Sequence, residues 1–173
     1  MRTIVTLWVG AGLLAACGDS SAPAKPEEER AASLKPGEYE ITAKVDALRS
    51  TDNSTPATQS KVADPARTTR TCVPADGTID PSAFAEAGEK CTASDSYMRG
   101  GRMSLQLKCL RDNKQLTQLV DGKFTADSFT GTAHTSTFFS GPGDYELTRT
   151  LTGKRVGECP AASEIATPEK APS

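Results

Sequence analysis

Residues 91–109 read Cys91-Thr-Ala-Ser-Asp-Ser-Tyr-Met98, then Arg99-Gly100-Gly101, then Arg102-Met-Ser-Leu-Gln-Leu-Lys-Cys109. Two runs flank a turn, and a cysteine closes each far end. A three-residue turn at Arg99–Gly101 predicts Met98 opposite Arg102, and hence Cys91 opposite Cys109. Opposed residues of an antiparallel pair lie about 4.5–5.5 Å apart at Cα, a separation a disulfide accepts. The hairpin therefore carries its own staple.

The same arithmetic runs on down the chain. A four-residue turn at Arg111–Lys114 sets Cys109 opposite Leu116. A turn at Thr125–Ser128 sets Phe124 opposite Phe129 and Val120 opposite Ala133. A turn at Ser140–Asp144 sets Phe139 opposite Tyr145. Side chains alternate between the two faces of a strand. One face then collects Met103, Leu105, Leu107, Leu116, Val120, Phe124, Phe129, Ala133, Phe139, Tyr145, Leu147 and Leu151, while the other is mostly Ser, Thr, Lys and Glu. Three separate turns that agree on one apolar face support a single register.

Upstream, Glu38–Ala47 alternates as a half-buried strand, a polar loop spans Ser50–Asp64, and a second strand covers Arg67–Val73. Asp80 as N-cap, Pro81 at the first helical position and Gly88 as stop predict one two-turn helix. The expected fold is all-β: a single curved antiparallel meander or incomplete barrel with one short helix and two disulfides.

The register also places Gln118, Thr135 and Arg149 on the apolar face, in a row across three strands, with Asp95 on the same face two strands away. A buried guanidinium needs a partner or water. One reading is a satisfied polar cluster, with Asp95 as partner or at the open end of the sheet. The other is the polar floor of a concave pocket that orients a ligand head group. Arg149, Thr135, Gln118 and Asp95 are thus the candidate ligand-binding residues.

The N-terminus sets the compartment. Arg2, the apolar run Ile4–Ala16 and the sequence Leu14-Ala15-Ala16-Cys17 have the layout of an exported lipoprotein leader, and the run is too short to span a bilayer. Residues 1–16 are expected to be a signal peptide. Residues 17–34 are expected to be lipid-modified Cys17 plus a disordered tether rich in Ala, Pro, Ser and charge. Residues 35–159 form the β-domain and 160–173 a disordered tail. Gly18 rather than Asp follows Cys17, which favours the periplasmic face of the outer membrane; the inner membrane and secretion are the alternatives.

Of five cysteines, Cys72, Cys91, Cys109 and Cys159 remain beyond Cys17. An even number in an exported chain reads as two disulfides, and with Cys91–Cys109 set by the hairpin, Cys72 pairs with Cys159. A zinc site is the rival. No Cys-x-x-Cys hook is present and there is one histidine, so no metal is expected.

Twenty Lys and Arg against 22 Asp and Glu give a formal net charge of −2. No basic stripe points to nucleic acid. No Gly-x-Ser-x-Gly elbow, phosphate loop or dinucleotide loop is present, and His134 falls on the polar face. No catalytic residue and no cofactor is expected. The leading expectation is a non-enzymatic, membrane-tethered module for a small amphipathic or lipidic ligand. The alternative is an envelope protein that docks on or inhibits another protein through the 48–64 loop and the 140–144 turn.

The blocks LKPGEYEI, TCVPAD, RGGRMSLQLKC, GKFTADSFTGT and GKRVGECP, in that order, resemble the proteobacterial family catalogued only as domain of unknown function thirty-six-seventeen. Tyr39 stands where the family usually has Trp, and Glu158 takes the acidic place before the closing cysteine. The resemblance spans roughly residues 34–160. It implies an exported β-rich domain without assigned activity, and it carries over no catalytic residue.

Overall fold

Alternating side chains lay down seven strands: β1 (Gly37–Ser50), β2 (Arg67–Val73), β3 (Lys90–Arg99), β4 (Arg102–Arg111), β5 (Lys114–Phe124), β6 (Ser128–Thr137) and β7 (Tyr145–Gly157). The computed structural model describes residues 33–160. The leader, Cys17, the tether before residue 33 and the tail from 161 lie outside the described residues. All neighbouring strands are antiparallel, in the order β2-β1-β7-β6-β5-β4-β3. The sheet curls into a half-barrel whose two edges are β2 and β3. Irregularities near Tyr39 and Asp46 in β1 help it curl, since a bulge bends its strand and adds twist.

The concave face carries the core. Every apolar residue placed on that face in sequence is buried there except Phe139, which is partly buried. Leu34, assigned by sequence to the tether, is also buried in the core. Tyr39 closes one end, its hydroxyl donating toward the carbonyls of Lys35 and Ala126 at 3.0 Å each.

Several expectations change in detail. The β3–β4 turn has two central residues, Gly100 and Gly101, with Arg99 opposite Arg102 and Met98 opposite Met103. Both glycines have positive φ, 58° and 73°, as a tight hairpin turn of this kind requires. A bulge at Ser94 then absorbs one residue and restores Cys91 opposite Cys109. Those two form a disulfide, with Cα atoms 4.0 Å apart. The bulge also reverses parity between the cysteine and the turn. Asp95 therefore pairs with Gln106 and is exposed, not on the apolar face.

Between β6 and β7 the register differs by two residues from the expected one. β6 ends at Thr137, whose hydroxyl bonds the backbone N–H (2.7 Å) and carbonyl (3.2 Å) of Tyr145. Phe139 leaves the ladder and donates its N–H to Asp144 at 2.7 Å. A two-residue slip preserves the faces, so the core is unaffected.

The expected two-turn helix is a 3-10 turn of four residues, Pro81–Phe84. Asp80 does cap it, accepting from the Ser82 N–H at 2.8 Å. The helix stops early because the Phe84 carbonyl is taken by side chains of the sheet and Ala85 turns extended. Phe84 itself drops onto the concave face, edge-on to Phe129 at 6.0 Å between ring centroids.

Among the described residues one disulfide is formed. The second expected pair, Cys72 and Cys159, is present as two exposed thiols that lie against each other. No ladder sets their separation. Cys72 and Gly157 flank Glu38 from opposite sides of β1, two strand spacings apart, and Cys159 reaches β2 only because the chain crosses the start of β1.

Candidate functional site

The candidate residues separate into an inner group and an outer one. Gln118 lies directly opposite Thr135, and both are buried. Arg149 is on the same face but opposite Ala133 and Val45, two residues along β7 from the Leu147 that faces Thr135. The row is therefore a diagonal. Asp95 lies outside and takes no part in it.

The segment after the 3-10 turn covers these residues. Arg149 Nη2 donates to the Phe84 carbonyl at 2.7 Å, and Gln118 Nε2 donates to the same oxygen at 3.2 Å. Arg149 Nε and Thr135 Oγ1 have no hydrogen-bond partner among the described residues. Burial lowers the Arg149 pKa, with the nearby Glu86 and Glu89 charges opposing that shift.

Glu86 and Glu89 were not singled out in sequence: Glu86 falls in the expected helix and Glu89 just past its Gly88 stop. Both are buried. Arg111 stands 3.3 Å from Glu89 Oε1 and 3.6 Å from Glu86 Oε2. Its Nη2 also donates to the Tyr145 hydroxyl at 2.7 Å and to the Ala57 carbonyl at 2.5 Å. Thr58 and Ser60 donate to Glu86 at 2.9 and 3.0 Å, which ties the 57–65 segment down over the sheet. Burial, then the Glu86 charge, raises the Glu89 pKa. Burial, then the Glu86 charge, likewise pushes the Tyr145 hydroxyl up to about 12. A recess of about 250 Å³ reaches Glu86 and Arg149 beneath this segment.

A larger cavity, about 650 Å³, lies beside the cluster, between the two edges of the half-barrel. Leu105 and Leu107 of β4 form its floor. Ala93 and Ser96 of β3 form one wall, and Ile79 and Pro81 the other. Cys72 and Cys159 also line it. The 74–81 segment carries no strand or helix pattern, so nothing in the sequence marks it as a wall. The cysteines were legible, but only as a cross-link.

A hydrogen bond to Cys159, then burial, pushes the Cys72 thiol up to about 11. The only group of three or more His, Cys, Asp or Glu side chains close enough to hold a metal among the described residues is Glu89 with Cys91 and Cys109. Both of its sulfurs are committed to the disulfide, so the group does not fit a metal ion. His134 is exposed, its ring 3.2 Å from the Thr148 hydroxyl.

The two loops considered as a docking surface are joined. Asp52 accepts from the N–H groups of Ser54, Gly143 and Asp144 at 2.9, 2.9 and 3.1 Å. The Ser54 hydroxyl, which donates to Asp52 at 2.6 Å, and then these backbone bonds hold its carboxyl well below the usual range. On the same loop, Phe138 is 89% exposed. Among the described residues no helix is long and apolar enough to cross a membrane.

The model of a family described as a protein of unknown function (DUF3617) matches residues 34–159. No curated protein and no solved structure matches the chain.

Proposed function

The chain belongs to that family of unknown function, and on this premise we propose that it is a non-enzymatic binding module that takes the apolar end of a small amphipathic ligand into the cavity between its sheet edges. The cavity carries this reading. Ligand sites are typically concave, about 300–1,000 Å³, and mostly apolar with a few polar groups. This one has about 650 Å³, a floor of two leucines, and Thr78, Ser96 and Asp80 among its lining residues to meet a polar head.

Phe84 lies on the concave face proper, where Arg149 and Gln118 donate to its carbonyl. The ligand is thus assigned to the space beside them. The leader sequence ending at Cys17 supports a lipid anchor, and Gly18 the periplasmic face of the outer membrane as its address.

The test uses the amphipathic dye 1-anilinonaphthalene-8-sulfonate with folded protein. Ala93 is an exposed cavity-wall residue, so Ala93→Trp fills the space without disturbing the core. Binding is expected to weaken by about tenfold or more in that variant, equivalent to about 1.4 kcal/mol. It should be unchanged in Leu119→Ala, on the convex face opposite Gln106 and His134. No dye binding, or equal binding in Ala93→Trp, overturns the reading.

Phe138 favours a second reading, in which the joined 51–64 and 138–144 loops dock on an envelope protein. A large aromatic left exposed on a restrained loop is the kind of anchor interfaces use. Co-purification of a small molecule supports the first reading, and a stoichiometric protein the second.

A further inference from the structure

The geometry points to a reversible clamp: Cys72 and Cys159 close to a disulfide at the mouth of the cavity and so slow the escape of what it holds. This inference rests on the cavity being the binding site.

Four observations carry it. The thiols come from opposite ends of the domain, β2 and the residue pair beyond β7, yet they lie against each other and line one cavity. Their approach is fixed by the chain between them. Arg155 Nε donates to the Pro36 carbonyl at 2.7 Å and its guanidinium pairs with Glu158, which lays residues 155–158 over the start of β1. At Gly37, φ is +143° and a Cβ would run into the Gly157 carbonyl and the Arg155 side chain. The crossing is therefore close-packed, and it delivers Cys159 to Cys72.

Both thiols are exposed, whereas Cys91 and Cys109 are buried. Exposed pairs exchange with solution thiols and disulfides, while buried ones resist. Finally, among the described residues neither thiol belongs to a group of three or more His, Cys, Asp or Glu able to hold a metal ion. That favours S–S bond formation over metal capture.

The exchange partner is a small disulfide such as oxidised glutathione. The Cys159 thiolate attacks one of its sulfurs and expels one thiolate. Cys72 loses its proton and attacks Cys159 in the mixed disulfide, expelling the second. Two protein S–H groups become one S–S bond, and the small disulfide takes up two electrons and two protons as two thiols.

The full chain is equilibrated in glutathione buffers from reducing to oxidising. Alkylation and peptide mapping distinguish this pair from Cys17 and from Cys91–Cys109. Dissociation of 1-anilinonaphthalene-8-sulfonate is then followed by stopped flow. The expected result is a Cys72–Cys159 bond that forms and is reduced without unfolding, with dye release about fivefold slower in the oxidised form, since affinity changes fall mostly on the off-rate. Cys159→Ser should hold the fast rate in every buffer.

Thiols that stay open to alkylation in oxidised glutathione overturn the clamp. So does a bond that forms while dye release is unchanged, and that result leaves the cavity reading standing. Reduced protein that binds no dye overturns both.

Discussion

Arg149 shows how a residue can be placed correctly and its neighbours misjudged. Its parity along β7 put it on the apolar face, and it is there. Its nearest partner, the Phe84 carbonyl, comes from a segment whose path no periodicity records. Removing the guanidinium strips that carbonyl of a charged donor and leaves Glu86 and Glu89 with less positive charge nearby. Arg149→Leu should cost about 2–3 kcal/mol in urea unfolding. Asp95→Asn, on the exposed face, should stay within about 0.5 kcal/mol. Equal effects would mean that Arg149 does not hold the 3-10 turn to the sheet.

Glu89 adds a dependence on pH. Its folded pKa is raised, chiefly by burial, so the folded chain binds this proton more tightly than the unfolded chain. Below the ordinary glutamate value both states are protonated and the group costs nothing. As pH rises from about 4.5 through the folded pKa, the proton is lost and stability falls. Glu89→Gln keeps an acceptor for the Glu86 N–H and removes the titration. The stability difference between variant and native chain should therefore shift in favour of the variant as pH rises above about 4.5. Urea unfolding at several pH values checks this, and a constant difference would contradict it.

At the scale of the element, the β3–β4 hairpin was legible in outcome but not in mechanism. The turn is one residue tighter than its Arg-Gly-Gly sequence implied, and the bulge at Ser94 makes up the difference. Composition does not announce a bulge within a polar run such as Thr92–Ser96, because alternation there is too weak to fix parity. The cysteines came out right since two offsets cancel; Asp95 came out wrong since it lies between them. β3 needs the disulfide: residues 92–97 are exposed on both faces, so little burial holds the strand. Replacing both Cys91 and Cys109 by Ala opens a bridge of sequence separation 18. That should cost about 3 kcal/mol and speed amide exchange in β3 before β5 or β7. Uniform exchange across the sheet would show that the bridge holds no local structure.

For the whole molecule, alternation with turns was enough to recover the strands, the antiparallel neighbours from β3 to β7 and the buried face, but not the place of β1 between β2 and β7. Val120, Ala133 and Leu151 obey it because a sheet with one wet face rewards strict period two. The cavity was not recoverable. Its floor uses Leu105 and Leu107, which read as ordinary core, and its far wall is irregular chain at Ile79 and Pro81. Enclosure there depends on how far the sheet curls, a property of accumulated twist and of the irregularities in β1. The Cys72–Cys159 approach was inferred from number alone, and it depends on a close crossing at Gly37 that no pairing rule describes.

The kink at Ser94 has a consequence beyond the cysteines. A half-barrel leaves two rows of backbone amides and carbonyls without neighbours, and a long flat border of that kind can recruit strands from other molecules into fibrils. Here the border is bent in mid-strand and studded with Lys90, Asp95 and Arg99. A second copy seeking to extend the ladder would meet a broken register and fixed charges. The irregularity that aligns the staple also makes the β3 border a poor template for strand addition.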